Sequence, residues 1–177
     1  RELSRRKCNI TVLPYTATVD QIMRLDPDGV VLSSGPGDPH SLKKSVLKMI
    51  QELQERVPLF GIGLGHELFA MANGVQVDRV PVEIHGMNHP IKEIITDHVV
   101  YANQGAGFQI QRESVNRENL FVTYVDMLTG AVQGLRHRRP VLRHRLGRLG
   151  PQGIQGGGVA IRHRHGLHRR LRRLRQD

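Results

Sequence analysis

At 177 residues the chain can form one domain with its own core, although a hydrophobic share of 38% is low for such a domain. The formal net charge of +10 suggests a nucleic-acid binder at first sight. Its placement does not: residues 1–135 hold 13 Lys/Arg against 15 Asp/Glu, while residues 136–177 hold 13 Arg against one acid, Asp177.

The single cysteine, Cys8, cannot form an internal disulfide and fits a reducing, cytoplasmic compartment. There is no run of about 18 apolar residues, so no transmembrane helix and no membrane association are expected. The first seven residues lack both the apolar core of a signal peptide and a Met, as in a fragment or a processed start.

Residues 8–13 read as a strand from β-branched content and alternation. Residues 18–25 read as a short helix, Asp28-Gly29 as a turn, and Val30-Val31-Leu32 as a buried strand. Ser33-Ser34-Gly35-Pro36-Gly37-Asp38-Pro39 is too rich in Gly and Pro for regular structure. Ser41 can cap a helix running to about Glu55, with Leu42, Val46, Met49, Ile50 and Leu53 at helical spacing. Pro58 to Ile62 is the next buried strand, and Glu67 to Ala72 continues as helix. Short, wholly apolar strands alternating with helices predict an α/β fold with a mostly parallel sheet flanked by helices. Past Gly74 the pattern becomes strands at residues 90–95, 98–101, 121–126 and 131–135 joined by turns, a smaller antiparallel portion. After Arg136, Arg/His clusters alternate with glycine-rich pieces such as Gly156-Gly157-Gly158, and no aromatic residue follows Tyr124. Residues 141–177 therefore read as a low-complexity tail that buries too little apolar surface to order itself, and residues 1–140 as the domain.

Two glycine-rich loops follow two successive strands. In an α/β sheet both lie at the carboxyl ends of the strands, where ligands bind. The second, Pro58-Leu59-Phe60-Gly61-Ile62-Gly63-Leu64-Gly65-His66-Glu67, passes from strand through a tight turn into helix, the layout of a nucleophile elbow. At its apex stands Gly63, which has no reactive side chain. Backbone N–H groups freed at Gly35, at Gly37 and at the helix start can hold a developing oxyanion. Each loop taken alone also reads as a plain tight turn.

Residues 32–39 and 58–70 resemble the class I glutamine amidotransferase domain found in the small subunit of carbamoyl phosphate synthetase, which has a flavodoxin-like fold. Asn88-His89-Pro90, residues 103–108 and Gly134-Leu135-Arg136-His137 look like further blocks of that family in the right order. The likeness runs over about residues 3–140. It implies an activity in which a cysteine thiolate attacks the side-chain amide of L-glutamine and a histidine, oriented by a glutamate, acts as base. Ammonia then passes to a large synthetase subunit to make carbamoyl phosphate for arginine and pyrimidine synthesis. No cofactor belongs to that reaction.

The family elbow resembles Gly-Ile-Cys-Leu-Gly-His-Gln, so Gly63 stands where the nucleophilic cysteine belongs and Glu67 where a glutamine touches substrate. Gly35, Gly37 and Leu64 match glutamine-binding and oxyanion positions. In the block that resembles Gln-Asn-His-Gly-Phe, Gly105 replaces a substrate-binding asparagine, while Gly107 and Phe108 match. Counting on to the His-Pro-Glu block puts the base at Gly147 and the acid at Leu149, neither of which can do acid–base chemistry. The first strand and helix of the family domain, and the N-terminal domain that precedes it in the family, have no counterpart here.

These losses imply a pseudoenzyme, since amide cleavage by this route needs an activated thiolate or hydroxyl. Cys8, on an early strand, is expected to pack in the core, and His66 to have a structural role on the elbow helix. Glu67 places a carboxylate in a pocket built for a neutral amide, so glutamine binding is expected to be weak. The tail histidines match no zinc module, and no metal is expected. The tail has three readings: a nucleic-acid-binding segment, a solvated tail, or an out-of-frame translation, since the family likeness stops abruptly near Pro140. The competing function is a non-catalytic interaction protein with a pseudo-amidotransferase scaffold and a basic, nucleic-acid-binding tail.

Overall fold

The computed structural model describes residues 2–138 and 159–163. After a short helix α1 (Glu2–Arg5), the first half builds a four-stranded sheet. Strands β2 (Gly29–Leu32) and β3 (Leu59–Gly61) pair in parallel, Val30 opposite Leu59 and Leu32 opposite Gly61. Strand β8 (Val159–His163) lies antiparallel between β2 and β1 (Cys8–Val12), so β1, β2 and β3 share one direction and the order is β1-β8-β2-β3. The sheet is thus parallel except for β8. That strand falls inside the segment expected to lack order, and its Val-Ala-Ile start is a local exception to the Arg/Gly/His composition around it. The rest of the tail, including Gly147 and Leu149, lies outside the described residues.

Local chemistry sets the helices. Thr18 opens α2 (Val19–Met23) with a capping box: its side chain accepts from the Gln21 N–H, and the Gln21 side chain accepts from the Thr18 N–H. In α3 (Lys44–Gln54) the buried residues Val46, Ile50 and Leu53 recur at four and three residues and face the sheet. Ser41 does not cap this helix. The helix starts later, at Lys44, with Lys43 as an N-cap that makes no side-chain bond, and the Ser41 hydroxyl donates instead to the Asp38 carbonyl at 2.7 Å, inside a 3₁₀ turn (Pro39–Ser41) capped by Asp38. The Pro-containing turn uses the residues that the sequence pattern assigns to the first helical turn. Helix α4 (Leu64–Ala72) ends in a Schellman motif: the Val75 N–H bonds the Ala70 carbonyl and the Gly74 N–H bonds that of Met71, with Gly74 at φ +78°.

The second half is a closed antiparallel barrel of four strands. Strands β4 (Val77–Glu93) and β5 (Val99–Ile110) are far longer than the segments 90–95 and 98–101 that their patterns suggest. Their polar and glycine-rich stretches stay in the ladder because the facing strand supplies the hydrogen bonds, with register shifts between Arg79 and Ile84 and between Gly86 and His89. Strands β6 (Leu120–Asp126) and β7 (Val132–His137) complete the closure in the order β4-β5-β7-β6. Val77, Ile110, Leu120 and Val132 fill the interior, together with Ala70 from α4. Helix α4 is therefore shared: Leu68 and Ala72 pack on α3, and Ala70 packs on the barrel.

Candidate functional site

The site forms where β2 and β3 end. The Ile62 N–H donates to the Leu32 carbonyl at 2.9 Å and continues the parallel pairing one step past β3. Gly63 then turns the chain at φ +52° and ψ −122°, a left-handed conformation that strains any residue with a Cβ. Helix α4 starts at once, and its approach to β2 is close. A Cβ on Gly65 would meet the Leu32 carbonyl oxygen at 2.1 Å. The Gly65 N–H donates to the Ser33 carbonyl at 3.1 Å, while His66 and Glu67 donate to that of Gly63. This is a strand–turn–helix elbow with a bare apex.

The first loop closes over that apex. Gly35 lies against Leu64, whose Cδ2 would be 3.5 Å from a Cβ there, and Ser34 Cβ would be 2.9 Å from a Cβ on Gly63. Gly37, at φ +114°, turns the same loop toward Asp38. The described residues offer no hydrogen-bond acceptor to the N–H groups of Gly35 and Leu64. Those two amides, one at the N-terminus of a nine-residue helix, are a candidate cradle for a negative oxygen.

Beyond the cradle lies a charged wall. Asp38 Oδ1 accepts from the His40 N–H at 2.7 Å and lies 2.9 Å from His40 Nδ1. Those two bonds, aided by the nearby charge of Arg79, hold the Asp38 carboxyl below the usual carboxylate range. The His40 ring stacks at a tilt on Phe108, centroids 6.0 Å apart, which ties β5 to this loop. Arg79 on β4 sits directly across the ladder from Phe108. Glu67, half-buried on the first turn of α4, has its carboxyl pushed up by burial and by Asp38, with His40 acting in the opposite sense.

The structure thus brings together Gly35, Gly63, Leu64, Glu67 and Phe108, with Gly37 in the same loop and Gly107 next to Phe108 on β5. Gly105 lies further along β5, opposite His85 and next to Gln104, whose Nε2 donates to Asp126 Oδ2 at 2.8 Å. The sequence pattern assigns no role to Asp38, His40, Arg79 or Asp126. The Asp-Pro pair of a helix N-cap is a signal that could have marked Asp38. The long-range partners Arg79 and Asp126 have no local signature.

Neither Cys8 nor His66 is placed to act as a nucleophile or base at the elbow. Cys8 lies on β1, separated from β3 by two strands of the sheet, and burial pushes its thiol up, away from the reactive thiolate. His66 has its Nε2 buried without a hydrogen-bond partner among the described residues, and burial lowers the ring from 6.5 to about 4. It is a neutral packing residue at neutral pH. Two surface depressions contain none of the elbow residues: one of about 360 Å³ beside His40 and Asp78, and one of about 560 Å³ between Tyr15, Lys43 and Lys48. Among the described residues no three His, Cys, Asp or Glu side chains converge as metal ligands, and no helix is long and apolar enough to cross a membrane.

Comparison with known proteins agrees with this geometry. The model of the class I glutamine amidotransferase family matches residues 1–142. The chain is 46% identical over 138 residues to the carbamoyl phosphate synthase pyrimidine-specific small chain of Lactiplantibacillus plantarum. It is 44% identical over 138 residues to the carbamoyl phosphate synthase small chain of Streptococcus pneumoniae and 42% over 139 residues to that of Bacillus anthracis. In each case the match covers 78% of this chain and 38% of the relative, so the chain spans well under half the length of these relatives. Among solved structures, a Thermoplasma acidophilum protein named for GMP synthase superposes with a TM-score of 0.59 at 17% identity, covering 73% of this chain and 66% of that one. The chain belongs to the class I glutamine amidotransferase family.

Proposed function

We propose that this chain is a glutamine amidotransferase scaffold of the carbamoyl phosphate synthase small-chain type that has lost the glutaminase reaction. One observation carries the reading: the elbow backbone turns at φ +52° and ψ −122°, and its apex residue is Gly63. Glycine adopts those angles readily, so the fold tolerates the residue that ends the chemistry. The cradle of Gly35 and Leu64 amides stabilises an oxyanion only after something has attacked the amide carbon. No group at the elbow can do so. Loss of members of a catalytic unit lowers rates by about 10⁴ to 10⁶, and the positions that match base and acid, Gly147 and Leu149, carry no titratable group either.

In the parent reaction the scaffold supplies ammonia to a large synthetase subunit for carbamoyl phosphate, a precursor in arginine and pyrimidine synthesis, in the cytoplasm. L-glutamine binding by this chain is weak, with Gly35, Gly37, Leu64, Gly107 and Phe108 at the positions that match the family's glutamine-binding residues. The test is ammonia release from L-glutamine by the unmodified chain and by Gly63→Cys. The expected result is background release from both, because the variant gains a thiol without a base and crowds Ser34. Ammonia above background from the unmodified chain overturns the proposal.

Charge placement favours a second reading. Residues 136–177 carry a net +12, which suits phosphate contacts on nucleic acid with steep salt dependence. Electrophoretic mobility of a nucleic acid with the chain and with residues 1–135 alone tests it. A shift that is equal for both, or absent from both, rules the tail out as the binding segment.

A further inference from the structure

Away from the elbow, the barrel carries two arginines gathered on one aromatic ring. Arg136 on β7 stands directly across the ladder from Phe121 on β6. Strand β7 ends at His137, but the Arg138 N–H donates to the Asn119 carbonyl at 2.8 Å and carries the pairing one residue further. Residues two apart on a strand point to the same face, so Arg136 and Arg138 share the face that Phe121 occupies. Their guanidinium carbons lie 5.6 and 3.8 Å from the centroid of the Phe121 ring. Both arginines are exposed, while the ring is half-buried.

This cluster carries a charge that the fold does not balance. A ring face attracts a guanidinium and limits its motion, but it has no net charge. Two cations drawn to one ring repel each other. Among the described residues no ion pair joins either guanidinium to a carboxylate. Residues 127–138 include no acid, and Glu118, in the turn before β6, pairs with neither arginine. The planar fork of arginine matches phosphate oxygens two at a time, and a stacked guanidinium has less freedom left to lose on binding. The chain then runs from Arg138 straight into more arginine: residues 136–177 hold 13 Arg against one acid. A fixed pair of cations continued by a long row of them suits a polymer with a regularly repeated negative charge. We propose that Phe121, Arg136 and Arg138 form a phosphate-binding platform, the folded anchor from which the basic segment follows a nucleic-acid backbone. This assignment rests on the nucleic-acid reading of residues 136–177 and gives it a defined place on the barrel.

The experiment is fluorescence anisotropy of a labelled oligothymidine of about 20 nucleotides, titrated with the full chain between about 50 and 200 mM salt. Three variants are compared. Arg136→Gln with Arg138→Gln removes the two platform charges. Arg172→Gln with Arg173→Gln removes two charges far along the segment. Phe121→Leu keeps every charge and removes the ring. The unmodified chain should bind with steep salt dependence. Loss of the platform pair should weaken binding by about tenfold at the lowest salt and lower the log–log salt slope by about 1.4, the share of two contacts to a single strand. Loss of the distal pair should weaken binding clearly less. Phe121→Leu should weaken binding with an unchanged slope, because the contacts remain and only their fixing is lost. Equal losses from the two arginine pairs overturn the platform and leave the basic segment as the binder, as does Phe121→Leu binding like the unmodified chain. Displacement of the oligonucleotide by polyglutamate at equal charge concentration also overturns it, since charge alone then suffices. Absence of binding by the unmodified chain, with circular dichroism showing it folded, overturns the nucleic-acid reading and the platform with it.

Discussion

A Cβ at Gly65 on α4 would lie 2.1 Å from the Leu32 carbonyl oxygen, and one at Gly61 on β3 would lie 2.6 Å from the Gly65 carbonyl oxygen. In the barrel, a Cβ on Gly134 would meet side chains, Thr123 Oγ1 at 2.5 Å and Tyr124 Cδ2 at 2.8 Å, and Gly130 in the β6–β7 turn has nothing within 4 Å. The two halves are held by different means. In the α/β half, helix and strand backbones touch, and the absence of side chains is what lets the elbow stand over the end of the sheet. In the barrel, strands are held by their ladders and by side chains that reach across them, such as Asp126, which is 1% exposed. A close backbone approach places an elbow to within a fraction of an ångström and is unforgiving of change. Ladders with bulges tolerate substitution and register shifts, as β4 and β5 do between Arg79 and Ile84 and between Gly86 and His89.

The sharpest way to break this comparison is to add one methyl group to each half. Gly65→Ala must push α4 off β2, because the atom it meets is backbone and cannot rotate away. We expect a loss of about 4 kcal/mol, at the upper end of single-residue effects. Gly130→Ala meets only the cost of φ +72° without glycine, about 1 kcal/mol. Urea denaturation midpoints read both. If the two variants lose stability equally, backbone contact is not what distinguishes the halves.

Acid sharpens it next. His66 falls from 6.5 to about 4 on folding because its ring is buried. The unfolded chain therefore takes up this proton first. Stability from this group is complete above pH 6.5 and is lost as pH falls toward 4, by on the order of 3 kcal/mol. Asp126 is lowered from 3.8: burial raises it, but the N–H donors of Thr129 and Leu128 and the charge of His89 win. Its contribution persists above 3.8 and is lost only below that value. Denaturation of the unmodified chain and of His66→Leu at pH 7 and pH 4.5 should show the gap between them narrowing or reversing at the lower pH. A gap that stays constant removes His66 as the acid-sensitive group of the α/β half.

The same contrast decides what residues alone could reveal. The two loops around Gly35 and Gly63 were legible because turn, strand and helix signals lie side by side in the chain, and so was the empty apex. The α3 face was legible from apolar spacing, but the start of α3 was displaced from Ser41 because the Asp38-Pro39 turn captured that hydroxyl. The lengths of β4 and β5 were not legible. Their continuation through Gly105 and Gly107 depends on hydrogen bonds from the opposite strand, which have no trace in local composition. The charged corner at Asp38 and His40 was illegible for the same reason: the charge of Arg79 acts on Asp38 and Phe108 meets His40 only after the barrel has closed against the elbow loop.

Asp126 supplies the smallest and most specific test, because it is the barrel's counterpart to Gly65. Its Oδ1 accepts the N–H groups of Leu128 and Thr129 at 2.8 and 3.0 Å, and its Oδ2 accepts Gln104 Nε2 at 2.8 Å. It therefore ties the β6–β7 turn to the residue preceding Gly105 on β5. Asp126→Ala strands three donors and should cost about 2 kcal/mol. Asp126→Asn keeps one carbonyl oxygen for the two turn amides, and Gln104 can turn its own amide over to present oxygen to the new NH₂. It should cost about half as much. Denaturation midpoints separate the two substitutions. Equal losses would mean that the buried charge, and not the set of acceptors, holds the turn. The barrel would then depend on one irreplaceable group, as the α/β half does on Gly65.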